Sequence, residues 1–441
     1  MGAIGQSPFT WLEFDADGAL INPGDQDALA TMVAQPSITD VVVISHGWKN
    51  SKADATTLYD TLWANVSNGF THKKPTEVAV CGILWPAKAY NDNFDVGAVA
   101  AYGGAQTLAV GGAGVDRDLT DDELAAVMAD FRDIFGERGE ATLAAATDAA
   151  DGISGARSAA LFAAAGAAIG ASDANMDSEL ARDADSIANV HDPRGKLLGL
   201  AAPPIVTLVP DVGGTQGLAD FVGEVIQGSR AAVARFLNQL TYFEMKQRAG
   251  VVGARLGSAV LPALSPSHPI RLHLVGHSFG ARLVTAAANA LPAHMQLEFF
   301  SLTLLQGAFS HNALAAEVEL GVPGAFKNVV GRPTGPIAIT HTHNDLACTL
   351  AYALASRLSR DMTKSIGDKD DIFGAMGANG AQKLAAAVQA EDVRDQTFAP
   401  QRGKVNGFLA DAYILKTDTS DAHNNITNQT CGKLVAAVIE C

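Results

Sequence analysis

Only four cysteines, Cys81, Cys348, Cys431 and Cys441, occur in 441 residues. A disulfide framework needs more than that in a chain this long, so a buried core must hold the fold. If the last segment is helical, Cys431 and Cys441 lie on the order of 15 Å apart and cannot bridge. Positive charge is also scarce: 31 Lys and Arg stand against 47 Asp and Glu, a net charge of −16 with no long basic run. Binding phosphates needs clustered cations, which excludes nucleic acid as a partner and argues against steering to anionic lipid.

Long apolar runs are missing too. Ser158 to Ala171 is apolar but too short, and too poor in large side chains, to span a bilayer. A tightly packed helix is expected there, with a lipid-facing lid helix as the alternative. No Lys or Arg precedes Lys49, and Glu13, Asp15 and Asp17 interrupt the start, so no secretory signal is read. The expectation is a cytoplasmic chain, although a processed secreted one would look the same. No Walker loop, no G-x-G-x-x-G after a strand and no C-x-x-C pair occurs, so no nucleotide, flavin or structural zinc is called for, and no cofactor is expected.

What is present is ordinary globular material, 48% hydrophobic and 18% charged. At this length the chain can bury one large core plus a sizeable insertion, or two domains. Phe9 to Phe14 alternates as an edge strand. Asp40 to Ser45 is β-branched and apolar on both faces, as in a covered parallel sheet, and ends at His46-Gly47-Trp48. Ala53 to Val66 has helical spacing, and a second buried strand runs from Glu77 to Leu84. Strand, helix, strand with short links is a βαβ signal and predicts a parallel α/β sheet.

The character changes at about residue 88. Residues 97–114 are Ala- and Gly-rich, Thr120 and Glu123 form a capping box, and helical patterns follow at 138–150, 154–170 and 174–190. Residues 88–215 therefore read as a helical insertion between two parts of a core, 1–87 and 216–441. A helix is expected from Leu218 to about Leu261, with a break near Gly250 to Gly253. Strands follow at Leu297–Leu305, Pro336–Thr340 and Phe408–Leu415, with helices at Leu346–Leu358 and Lys433–Ile439 and an irregular stretch at 361–405.

One stretch organises the rest. Leu272 to Val275 is a short apolar strand, broken by Gly276-His277-Ser278-Phe279-Gly280 and followed by an Ala-rich helical pattern. This strand–turn–helix setting resembles the nucleophile elbow of the α/β-hydrolase superfamily, in which a serine sits on a turn so sharp that its neighbours two positions away must lack bulk. The resemblance covers roughly residues 1–86 and 265–441, and it implies a mostly parallel sheet with helices on both faces and a helical cap.

It also implies a site. The nucleophile is Ser278, and the superfamily's chain order of serine, acid, histidine leaves one base, because only His423 of the 11 histidines lies beyond Asp345. Asp345 is the favoured acid, with Asp421 and Asp411 as rivals. The oxyanion donors implied are the backbone N–H groups of Phe279 and of Trp48, the latter in a His-Gly-x turn. Gln306, Phe309 and Trp85 are expected to line the substrate pocket. The implied activity is a serine hydrolase acting on carboxylic esters, small or lipid-like. An amidase, peptidase or acyltransferase with the same residues is the alternative, and a non-catalytic binding or lipid-interface protein is the reading from another class. A competing motif, His341-x-His343-x-Asp345, resembles a metallo-β-lactamase ligand run, yet Leu346 and a single downstream histidine leave it short of ligands. No metal is expected.

Overall fold

The computed structural model describes residues 2–48, 50–87, 117–170, 178–201, 227–319, 321–351, 374–384, 388–390, 398–418 and 420–441. Among these, nine strands form one sheet in the order β1-β2-β4-β3-β5-β6-β7-β9-β8. They are β1 Gly2–Ile4, β2 Ser7–Glu13, β3 Asp40–Ser45, β4 Val78–Leu84, β5 Ile270–His277, β6 Leu297–Leu305, β7 Ile337–His341, β8 Val388–Ala390 and β9 Val405–Leu409. Only the β1–β2 pair is antiparallel; every other pairing is parallel. The protein is therefore α/β with a mostly parallel sheet.

Alternation along the strands sends side chains into two cores. Val41 and Val43 share one with α1 (Gly24–Val33), α8 (Ser229–Arg255) and α9 (Phe279–Ala290). Val42 and Ile44 share the other with Tyr59, Leu62 and Trp63 of α2 (Lys52–Gly69) and with Val435 of α10 (Gln429–Glu440). Two-sided cover explains why β3 is apolar at nearly every position.

The strand order reverses at β3 and β5. From β3 the chain crosses to β4 on one side through α2, and from β5 it crosses to β6 on the other through α9. Crossovers of one hand then put α2 and α9 on opposite faces, and the carboxyl ends of β3 and β5 open a crevice between them, where doubly wound sheets bind ligands. His46-Gly47-Trp48 and Ser278-Phe279 leave the sheet at that crevice.

Among the described residues from 117 to 201 there are five α-helices: α3 Asp121–Phe135, α4 Glu140–Ala150, α5 Gly155–Gly170, α6 Ser178–Ala188 and α7 Pro193–Gly199. The Thr120–Glu123 capping box forms as the sequence predicts. Leu161, Phe162, Ala165 and Ile169 of α5 are buried within the larger core, so the apolar face of that helix is covered by protein. Ion pairs tie this layer to α8, a buried one with Lys246 Nζ 2.8 Å from Asp183 and a half-buried one with Arg138 2.9 Å from Glu244. Arg248 adds a 2.7 Å bond to the Ile134 carbonyl. Both edges expected for the insertion, at 88 and 215, lie outside the described residues, as do most of 361–405 and residues 352–358.

Three expectations differ in detail. Helix α8 runs unbroken through Gly250 and Gly253, and only at Leu256–Val260 does it loosen into a π turn. Gly253 and Gly257 serve packing, since a Cβ there would lie 2.1 Å from the Leu283 or Ala287 carbonyl of α9. The last strand ends at Leu409, and Ala410 to Ile414 turn back on themselves through Ile414 N–H to Ala410 O at 2.8 Å. The chain edge expected at Phe9–Phe14 carries one more short strand, β1, outside it. Among the described residues no helix is long and apolar enough to cross a membrane.

Candidate active site

Ser278 sits between β5 and α9 with φ 57 and ψ −123. Such a conformation costs a non-glycine residue about 1–3 kcal/mol and persists only where the surroundings over-determine it. Here they do. The Ser278 N–H donates to the Leu305 carbonyl at 3.1 Å, and its own carbonyl accepts from Ala281 at 3.1 Å and Ala308 at 3.2 Å. The two flanking glycines have no room for side chains: a Cβ on Gly276 would lie 2.3 Å from the Gly280 carbonyl, and one on Gly280 2.3 Å from the Ser45 carbonyl. Gly47 is equally confined, because its Cβ would lie 2.6 Å from Ser278 Cβ.

His423, in the loop before α10, brings its ring between Ser278 and Asp345. Nδ1 lies 2.7 Å from Asp345 Oδ2, and Nε2 lies 2.8 Å from Ser278 Oγ. An ionised carboxylate only accepts, so Nδ1 carries the proton and Nε2 is left to accept from the Ser278 hydroxyl. Burial pushes Asp345 up, but the charge and hydrogen bond of His423, the Cys348 N–H and the Gln306 amide outweigh it and hold the carboxyl below its usual range. Burial pushes His423 down, and the charge and hydrogen bond of Asp345, with the charge of Asp421, reverse this and raise it. The rival carboxylates are engaged elsewhere: Asp421 accepts from the Asn424 N–H at 2.8 Å, and Asp411 lies 2.8 Å from His343 Nδ1.

The other histidines at the site are held neutral. Burial, then the neighbouring His423, drives His277 down to about 3, and its Nε2–H donates to the His423 carbonyl at 2.9 Å, fixing that loop. Burial takes His46 to about 4, and its Nδ1–H donates to the Gly47 carbonyl at 2.8 Å. The Tyr59 hydroxyl accepts from the His46 N–H and donates to the Ile83 carbonyl, both at 2.7 Å, which binds the end of β3 to α2 and β4.

Phe279 is the first residue of α9, so its N–H has no acceptor within the helix and points with the positive end of the helix dipole. Trp48 follows Gly47, and its ring meets that of Phe279 edge-on at 6.0 Å. Beside Ser278 lies a cleft of about 110 Å³ walled by Trp48, Tyr242, Phe279, Ala308 and Ala347, with Asp421 and Asn424 adding polar groups. Gln306, Phe309 and Trp85 are not part of its wall. Phe309 packs on Phe326, and Trp85 stacks on His46 while its indole N–H donates to the His46 carbonyl at 3.1 Å. Gln306 is turned to Asp345, 2.8 Å from Oδ2.

His341, His343 and Asp345 do not converge. His343 faces Asp411, and His341 is half-buried beside Gly380. Among the described residues the one gathering of three ligand-type side chains is Asp345, Cys348 and His423, which uses the same atoms as the serine chain. Burial first, then Asp345, raises the Cys348 thiol well above its usual range, so it stays protonated.

Sequence reading missed a second Ser–His–Asp chain. Within the sheet, His273 Nε2 lies 2.9 Å from Asp40 Oδ1 and Nδ1 lies 2.7 Å from Ser301 Oγ, all three residues being fully buried. Asp40 also pairs with Arg271 at 2.8 Å and with Lys73. No local pattern announces it, because its members come from three separate strands. Comparison with protein-family models, curated proteins and solved structures gives no match to this chain.

Proposed function

We propose that the protein is a serine hydrolase of the α/β-hydrolase type that cleaves carboxylic esters through an acyl-enzyme. The observation that carries this reading is the continuous chain from Ser278 Oγ through His423 to Asp345, at 2.8 and 2.7 Å, on a serine held at φ 57 at the start of a helix. The site at the reversal of strand order supports it as well.

In this reading Ser278 Oγ attacks the acyl carbonyl carbon while its proton passes to His423 Nε2. Asp345 holds the imidazole in the required tautomer and stabilises the imidazolium. The oxyanion accepts hydrogen bonds from the Phe279 and Trp48 N–H groups, donors aligned before the charge develops. Collapse breaks the bond to the alcohol oxygen, which leaves with the proton from His423. Water then gives a proton to His423, attacks the acyl carbon, and frees the acid as Ser278 recovers its hydrogen. The apolar walls of Trp48, Tyr242 and Phe279 suit an uncharged acyl group. The helices α3–α7 take the part of a cap over the crevice.

Hydrolysis of p-nitrophenyl esters of graded chain length tests the reading. Turnover is expected from the wild-type protein and not from Ser278→Ala; no turnover of any ester by the wild type would overturn it.

A further inference from the structure

Gln306 follows β6 with φ 47, an unusual conformation for a residue other than glycine, and it is fully buried. Its polar atoms are all engaged. The Thr340 hydroxyl accepts from the Gln306 backbone N–H at 3.0 Å and lies 3.0 Å from Oε1 of the same residue. A hydroxyl has one proton to donate, and here it goes to Oε1. The Asp345 carboxylate and the Gly377 carbonyl can only accept, and this decides the orientation of the amide: its NH₂ faces them and its oxygen faces Thr340. From there Nε2 donates to Asp345 Oδ2 at 2.8 Å and to the Gly377 carbonyl at 2.9 Å. Oδ2 is the oxygen that also accepts from His423, while Oδ1 accepts from the Cys348 N–H at 2.9 Å.

We propose that Gln306, oriented by Thr340, is a positioning residue that fixes the plane and charge of Asp345 and, through it, the tautomer and basicity of His423. This rests on the hydrolase reading above. The amide supplies a donor that no pH change can remove, so Asp345 stays an acceptor and Nδ1 of His423 stays the protonated nitrogen. A carboxylic acid or hydroxyl at 306 would not guarantee that. The strained backbone at 306 aims the side chain back under β7 rather than into the cleft.

The test is a pH–rate profile of ester hydrolysis for the wild type, Gln306→Glu and Thr340→Val, with thermal melts to establish folding. Gln306→Glu puts a second carboxyl against Asp345. Two buried carboxyls in contact share one proton, so Asp345 loses part of its charge, His423 becomes less basic, and the ascending limb of kcat moves down by about one pH unit or more. Thr340→Val leaves Gln306 in place but removes the group that orients its amide; kcat should fall about 10- to 100-fold, the size typical of losing a partner that orients a reactive group, with KM unchanged. Folded variants with the wild-type limb and wild-type kcat would overturn the proposal. So would a loss that appears in KM alone. If the wild type hydrolyses no ester, the hydrolase reading fails before the role of Gln306 is reached, and the two failures are distinguishable.

Discussion

The molecule contains the same three side chains in the same hydrogen-bonded order twice, once within the strands of the sheet and once at their carboxyl ends. Asp40 at the amino end of β3, His273 in mid-β5 and Ser301 in mid-β6 form one, with spacings of 2.9 and 2.7 Å. Asp345, His423 and Ser278 sit at the carboxyl ends, with spacings of 2.7 and 2.8 Å. Distances alone do not separate them; surroundings do. Ser301 lies within regular β6 and is fully buried, whereas Ser278 is held in a strained turn at a helix start and borders a cleft. Asp40 is already shared by Arg271 and Lys73, so it has charge to balance and none to spare. Burial first, with those two cations against it, lowers the His273 pKa despite Asp40, while that of His423 is raised. A Ser–His–Asp chain becomes a site only with strain, access and donors beside it.

Paired substitutions break the comparison if it is wrong. Ser278→Ala should lower kcat by on the order of 10⁵–10⁶-fold with the melt unchanged. Ser301→Ala should leave kcat alone but destabilise the fold by about 1–3 kcal/mol, because His273 Nδ1 loses its donor. Denaturant titration and ester turnover of both variants read the contrast. Next in size, Asp345→Asn should cost about 10⁴-fold in kcat by favouring the wrong tautomer. Asp40→Asn should instead destabilise by about 3–5 kcal/mol, since it leaves two half-buried cations without the buried anion they share.

Proton titration sharpens the comparison. His423 must be neutral to act as a base, and its pKa is raised, so activity should climb along a limb above about 6.5. The stability it contributes is full below about 6.5 and is lost as pH rises through its folded value. His273 has the opposite sign: its pKa is lowered, so its contribution is full above about 6.5 and is lost as pH falls toward the folded value. Ring-proton NMR titration of the two histidines checks both directions. The smallest effect is expected from Asp421→Asn, which removes a carboxylate that helps raise His423 and should move the activity limb down by a fraction of a unit.

Residues whose type is dictated by the backbone were legible in the sequence. Gly276 and Gly280 are needed where a Cβ would strike a carbonyl, and they mark Ser278 without any structure. The buried strands β3, β4 and β6 announced themselves by runs that two-sided burial demands. His423 and Asp345 were accessible through chain order, and both lie within hydrogen-bonding reach of the Ser278 chain. The neighbours that support a site were not legible, because their partners are distant along the chain. Gln306 bonds to a carboxylate 39 residues away, and no periodicity encodes that. The direction taken by a side chain just past a strand end was equally hidden, so Phe309 and Trp85 turned into packing and Tyr242, from a helix, lines the cleft.

Peptide mapping after reaction with a fluorophosphonate separates the two serines most directly. One adduct is predicted, on Ser278, absent from Ser278→Ala and still formed in Ser301→Ala. An unreactive wild-type protein, or a tag found on any residue other than Ser278, would contradict the account.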